Sequence, residues 1–71
     1  MDIKTALKIV QKEYDNEVIR TYEFKDRFVF ILETNADVKF FVCVDKNTSD
    51  LMYTNFVGLQ MMMAEEEPII N

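Results

Sequence analysis

The chain has 71 residues, of which 49% are apolar and 13% aromatic, and it carries a net charge of −5. This composition is typical of one small globular domain and excludes both a disordered chain and a multidomain protein. The excess of acidic residues disfavours binding to nucleic acid, because phosphates attract clustered Lys and Arg.

A first helix is predicted over residues 2–15, because apolar residues recur there three and four positions apart. Asp2 is predicted to cap its start, and Asp15-Asn16 to end it, since Asn tolerates a left-handed backbone. The helix also carries a basic stripe one turn apart, predicted to be its solvated side rather than a membrane-binding face. The apolar positions are Ile3, Ala6, Leu7, Val10 and Tyr14; the basic ones are Lys4, Lys8 and Lys12.

After Glu17 the apolar period changes to two, which predicts strands. The predicted strands are 18–24, 27–34, 38–44 and a short fourth at 51–55. Lys25-Asp26 is predicted to form a tight turn, and residues 45–50 a polar turn.

The tail, residues 56–71, is predicted to contain a short helix, because Leu59, Met62 and Met63 have helical spacing and Pro68 would stop it. The whole chain, 1–71, is therefore predicted to be a single α+β domain. An N-terminal helix packs on a three- to four-stranded antiparallel meander, and a short helix follows.

The helix and strands resemble the helix-then-hairpin layout of PepSY-like domains. The resemblance rests on ALKIVQKEY, VIRTYEFKDRFVFILET and FVCVDKNTSDLMY, with Val44-Asp45 and Thr48 matching a strand end and turn that are common in those domains. Ser49 stands where Gly is usual. The layout is also similar to small phage and prophage proteins of Gram-positive bacteria. The resemblance implies the fold and no functional residue.

No catalytic residue, metal site or cofactor is predicted, and we expect a non-enzyme. The chain has no His, so imidazole-based catalysis and His-ligated metals are excluded, and Gly58 alone cannot form a phosphate-binding loop. Cys43 lies in an apolar strand, where a thiol acts as a small hydrophobe. Asp45, Asn47 and Ser49 have calcium-loop spacing, but the Gly and the final Glu of such a loop are replaced, so a hairpin turn is favoured.

The single cysteine and a charged N-terminal segment indicate a cytoplasmic protein, because small secreted domains usually carry several disulfides. No apolar run approaches the roughly 18 residues that span a bilayer. We therefore expect neither a membrane nor a nucleic acid partner.

Strand alternation divides the predicted sheet into two faces, both apolar. The first face takes Val18, Tyr22, Phe24, Phe28, Phe30, Leu32, Val38, Phe40, Val42 and Val44; the second takes Ile19, Val29, Ile31, Phe41 and Cys43. One helix can cover only one face, so the second needs the tail, a second copy or another protein as its cover. The predicted interaction surface is Ile19, Val29, Ile31, Phe41, Leu59, Met62 and Met63.

Two functions fit these observations. The favoured one is a small protein-interaction module that buries sheet-face or Met-rich tail surface against a partner or against itself. The alternative is an acidic inhibitor that occupies a basic site on a nucleic-acid-processing enzyme. Salt separates them, because electrostatic mimicry weakens with ionic strength and apolar burial does not.

Overall fold

The computed structural model describes residues 1–71 and shows the predicted α+β architecture in three layers: a helix, a five-stranded antiparallel sheet and a second helix. The elements in chain order are α1 (Ile3–Glu13), β1 (Glu17–Glu23), β2 (Arg27–Glu33), β3 (Lys39–Asp45), β4 (Leu51–Thr54), α2 (Phe56–Glu65) and β5 (Ile69–Ile70). Every predicted element is present within a residue or two of its predicted bounds, and β5 is additional.

Helix α1 begins as predicted, because the Asp2 carboxylate accepts a hydrogen bond from the Thr5 amide at 2.9 Å. The predicted stop at Asp15-Asn16 with a left-handed Asn is wrong, because the helix ends at Glu13. Tyr14 caps the helix in an extended conformation, and the only residues with positive φ are Asp37 and Ser49. Extended backbone at the cap leads directly into β1, so no left-handed Asn is needed.

The sheet has the order β4-β3-β2-β1-β5, with each neighbouring pair antiparallel. The central hairpin is tight as predicted, with the Phe24 amide bonded to the Arg27 carbonyl at 2.8 Å. Helix α2 leaves the edge strand β4 and returns the chain to the opposite edge, where Ile70 pairs with Tyr22 of β1.

Helix α1 covers one face of this sheet. Its Ala6 and Val10 are fully buried with alternate residues of the two central strands. The strand residues are Phe28, Phe30, Leu32, Val42 and Val44. Such burial contributes on the order of 1.5–3 kcal/mol for each large side chain and makes this cluster the main core.

The predicted face assignment fails at a β-bulge in β1. Val18 pairs with Leu32, but the next pair is Arg20 with Ile31, so Ile19 is an extra residue. A bulge shifts the alternation by one position. Tyr22 and Phe24 therefore belong to the second face, and Thr21 opposite Phe30 takes a place on the first.

Val38 was also assigned wrongly. It precedes β3 in the loop after β2 and is 58% exposed, so it is not part of the first face. Its amide instead donates to the Thr34 hydroxyl at 3.2 Å, which holds the loop together. The three residues before it, Asn35, Ala36 and Asp37, set the chain into a turn before β3 begins.

Candidate interaction surface

Helix α2 forms because Asn55 caps it and its sequence offers good packing on the sheet side. The Asn55 side chain accepts from the Gly58 amide at 2.8 Å, which satisfies one of the free amides of the first turn. The helix ends at Glu65, three residues before Pro68, as the sequence predicted.

The inner side of α2 covers the second sheet face. Leu59 is only 2% exposed and packs in a cluster with Val29, Ile31 and Cys43. Met62 and Met63 lie at the margin of this cluster and are half-buried. The sequence left undecided whether the tail, a second copy or another protein covers the second face. In the structure the tail covers it.

Because α2 covers the second face, part of the predicted interaction surface is inaccessible. Val29, Ile31 and Leu59 are buried and cannot meet a partner while α2 is in place. Phe41, Met62 and Met63 are half-buried around them. Ile19 is 39% exposed and lies apart from the cluster, because the bulge removes it from the regular alternation.

An accessible apolar surface lies instead on the outer side of α2, while Tyr53 of β4 and Ile69 and Ile70 of β5 are also exposed. Phe56, Val57 and Met61 are 58%, 66% and 66% exposed. Between Phe56 and Ala64 the helix has no charged residue, and Gln60 is its one side chain with a hydrogen-bonding group. The sequence analysis missed this surface because it considered only Leu59, Met62 and Met63, which have the spacing of one packed helical face. The signal that could have revealed it is the absence of charged residues between Phe56 and Ala64.

An acidic end adjoins this apolar side. Glu65, Glu66 and Glu67 follow Ala64, and the last turn of α2 contains no basic residue. Glu66 is engaged within the chain, since its carboxylate accepts from the Lys25 amide. The other two glutamates are exposed at the negative end of the helix dipole, an unfavourable position for a carboxylate.

A groove separates α2 from the edge strand β4. It has a volume of about 240 Å³, and Cys43, Met52 and Met62 contribute to its lining. Cys43 is 4% exposed, and burial raises the pKa of its thiol. A protonated thiol is a poor nucleophile, so Cys43 acts here as a small apolar side chain.

The residues with calcium-loop spacing build a hairpin turn. One oxygen of the Asp45 carboxylate accepts from the amides of Asn47 and Thr48, at 2.7 and 3.0 Å. These backbone hydrogen bonds hold the pKa of Asp45 below its usual range. Ser49 takes the left-handed conformation with φ of 65°, as the turn requires.

A polar groove lies at the end of α1. Gln11, Asn16 and Glu33 are among its lining residues, and Tyr14 is its one apolar member. The Tyr14 hydroxyl donates to that of Tyr53 at 2.6 Å, and this hydrogen bond raises the pKa of Tyr14 to about 12. The phenol therefore stays protonated at neutral pH and ties α1 to β4 rather than serving as a base.

Neither helix is long and apolar enough to cross a membrane. Comparison with known proteins gives no match to this chain among protein-family models, curated proteins or solved structures. The resemblance to PepSY-like domains and phage proteins therefore stays a prediction.

Proposed function

We propose that this protein is a non-enzymatic protein-interaction module whose binding surface is the outer side of α2. The observation that carries the proposal is the exposure of Phe56, Val57 and Met61 on a helix without a polar outer face. Contiguous exposed apolar surface on a small protein marks an interaction site more often than a solvated one.

Helix α1 provides a comparison for the outer side of α2 within the same chain. Helix α1 performs the same structural task on the other sheet face, and its exposed residues include Lys4, Lys8 and Lys12. The chain therefore has one helix with a fully solvated outer side and one with an apolar outer side. Solubility alone would favour the first arrangement in both places.

Methionine suits such a surface. Met61 is exposed beside the half-buried Met62 and Met63, and Met52 is 57% exposed on the neighbouring strand. Unbranched, polarizable methionine side chains adapt to partner surfaces of varied shape. The proposed binding mode is burial of this Met-rich apolar surface against a partner.

The acidic end of α2 supports a second candidate, an acidic inhibitor of a nucleic-acid-processing enzyme. Glu65 and Glu67 are exposed and take part in none of the salt bridges, which join Arg27 to Asp26, Lys39 to Glu33 and Lys46 to Glu23. Their charge is therefore available to a basic site. The apolar side is favoured because solubility does not account for it.

A capture experiment with a lysate of the organism that encodes the protein tests the proposal. The bait is compared with Val57→Lys/Met61→Lys, and the proteins retained, further copies of the chain included, are identified by mass spectrometry. We expect the double variant to lose what the wild type retains, because charge on the outer side of α2 opposes apolar burial.

Thr5→Lys/Gln11→Lys is the matched control, since both residues are exposed on α1 and the added charge is the same. It should retain the partners. Retention by the α2 variant would contradict the proposal. Loss of the wild-type complex at roughly 0.5 M salt would favour the acidic inhibitor, because screening acts on exposed charges and not on apolar contacts.

A further inference from the structure

We infer that the occupant of the outer side of α2 is the α2 helix of a second copy of this chain, packed antiparallel about a two-fold axis. The inference rests on the proposed function and names its partner. It follows from the pattern of exposed residues and from the charge at the two ends of the helix.

The exposed residues of α2 form a symmetric stripe. Val57, Gln60, Met61 and Ala64 are all exposed and have the i, i+3, i+4, i+7 spacing of one helical face. The spacing, but not the residue types, is symmetric about a centre between residues 60 and 61. In an antiparallel pair Val57 lies opposite the small Ala64 of the other copy, and Gln60 lies opposite Met61.

The charges of α2 select the antiparallel arrangement. The N-terminal turn has no acidic residue, and the Asn55 side chain accepts from only the Gly58 amide. The remaining amides of this first turn and the helix dipole give the N-terminal end of α2 a partial positive charge. In an antiparallel pair, Glu65 of one copy lies level with this end of the other.

Antiparallel pairing also accounts for the unfavourable position of two glutamates. Within one chain, Glu65 and Glu67 lie at the negative end of α2 without a basic residue in the last turn. Parallel pairing would bring the acidic runs of both copies together. Antiparallel pairing separates them by the length of the helix, ~15 Å for ten residues, and places each near a positive end.

The size of the stripe sets the strength of the dimer. A ten-residue helix with Phe56 and Met52 at its margins offers less than the roughly 800 Å² per partner of a standard stable interface. We therefore expect reversible association over roughly 1 µM to 1 mM rather than an obligate dimer.

Mass and crosslinking test the inference together. Sedimentation of the purified protein across that concentration range should show the mass rising from 8.4 kDa towards twice that value. Val57→Lys/Met61→Lys should remain at the monomer mass with an unchanged melting temperature, while Thr5→Lys/Gln11→Lys should associate like the wild type. A monomer at all concentrations, or a double variant that still dimerises, would overturn the inference.

Single cysteine substitutions test the helix direction. Gln60→Cys lies beside the two-fold axis and should form an intermolecular disulfide under mild oxidation. Val57→Cys should not, because antiparallel packing separates its two copies by seven residues of helix rise, ~10 Å. The wild type is the blank, since Cys43 is buried. Equal crosslinking at both positions would show parallel packing and overturn the inference.

These results separate the inference from the proposed function. If the protein is monomeric, but capture of a different protein depends on Val57 and Met61, the second-copy inference fails and the proposed function stands. If neither association nor capture depends on these residues, both fail.

Discussion

The two helices of this protein cover opposite faces of one sheet, but their outer sides differ. The apolar residues of α1 lie on its sheet side, and its outer side carries three exposed lysines. Helix α2 has Gln60 as its one polar side chain between Phe56 and Ala64, and it exposes Phe56, Val57 and Met61. Packing on the sheet explains the inner side of both helices. The outer side of α2 needs another explanation, and a partner is the one we propose.

The two sides of the sheet also differ in the size of their hydrophobic clusters. Seven fully buried residues, with Ala6 and Val10 of α1 among them, form the cluster on the α1 side, and seven partly buried hydrophobic residues pack against it. The cluster on the α2 side has six residues, with Leu59 of α2 among them, and three partly buried ones pack against it: Phe41, Met62 and Met63. We therefore expect α1 to be part of the global folding unit and α2 to open locally at lower free energy.

The largest expected effect is on the α1 side. Phe30→Ala removes a fully buried ring from the main core and should lower the free energy of unfolding by about 3–5 kcal/mol. That is a large part of the stability of a domain of this size. Thermal or urea unfolding measures it, and a loss below about 1 kcal/mol would show that the main core is elsewhere.

On the α2 side, Leu59→Ala should cost about 2–3 kcal/mol, because Met62 and Met63 can shift into part of the space. It should also release α2 locally, so that Cys43 reacts with a thiol reagent much faster than in the wild type. Hydrogen exchange should stay slow in β2 and β3.

Val57→Ala is the control on the outer side of the same helix, and it should leave Cys43 protected. Rapid labelling of Cys43 in the wild type would contradict the view that each helix covers one face of the sheet. It would mean that α2 does not close the second face.

The smallest expected effects come from the caps of the two helices. Asn55→Ala removes the acceptor for the Gly58 amide and should cost about 1 kcal/mol at every pH, since the Asn side chain does not titrate. Asp2→Ala removes an ionised cap from α1, and its cost should depend on pH.

The hydrogen bonds with Thr5 lower the pKa of Asp2 below its ordinary value of 3.8. The carboxylate therefore stabilises the folded state above pH 3.8, and this contribution is lost as the pH falls through the depressed pKa. Melting temperatures of wild type and Asp2→Ala should converge in acid, while those of wild type and Asn55→Ala stay apart. A constant Asp2→Ala difference down to pH 2 would contradict this.

Much of the fold could be predicted from the sequence because its periodicities are clear. The apolar spacing of α1, the alternation in β2 and β3, and the helical spacing of Leu59, Met62 and Met63 all predicted the observed elements. Strand β5 could not be predicted, because two residues after Pro68 are too few to show a period.

The bulge at Ile19 shows the limit of pattern reasoning. Val18, Tyr22 and Phe24 fit a regular strand, and no Gly marks the irregularity. The bulge is defined by pairing with β2, which is a long-range interaction. Sequence reasoning therefore assigned Tyr22 and Phe24 to the wrong face, although it predicted correctly that the second face is covered.

The candidate site was predicted only in part. The sequence indicated the tail as a cover and Met62 and Met63 as members of it, but it could not say which side of α2 would remain open. That side depends on how the helix lies on Ile31 and Cys43. Once Leu59 is known to point inward, helical spacing places Val57 and Met61 outward.

The pairing of Tyr22 with Ile70 joins strands that are 48 residues apart in the chain, from position 22 to position 70. The main core contains no residue of β5, so it can assemble while β1 is still an open sheet edge. An open edge can pair with another chain. Until β5 docks, this edge of β1 is protected by the bulge at Ile19 and by the charges at its two ends, Glu17 and Glu23.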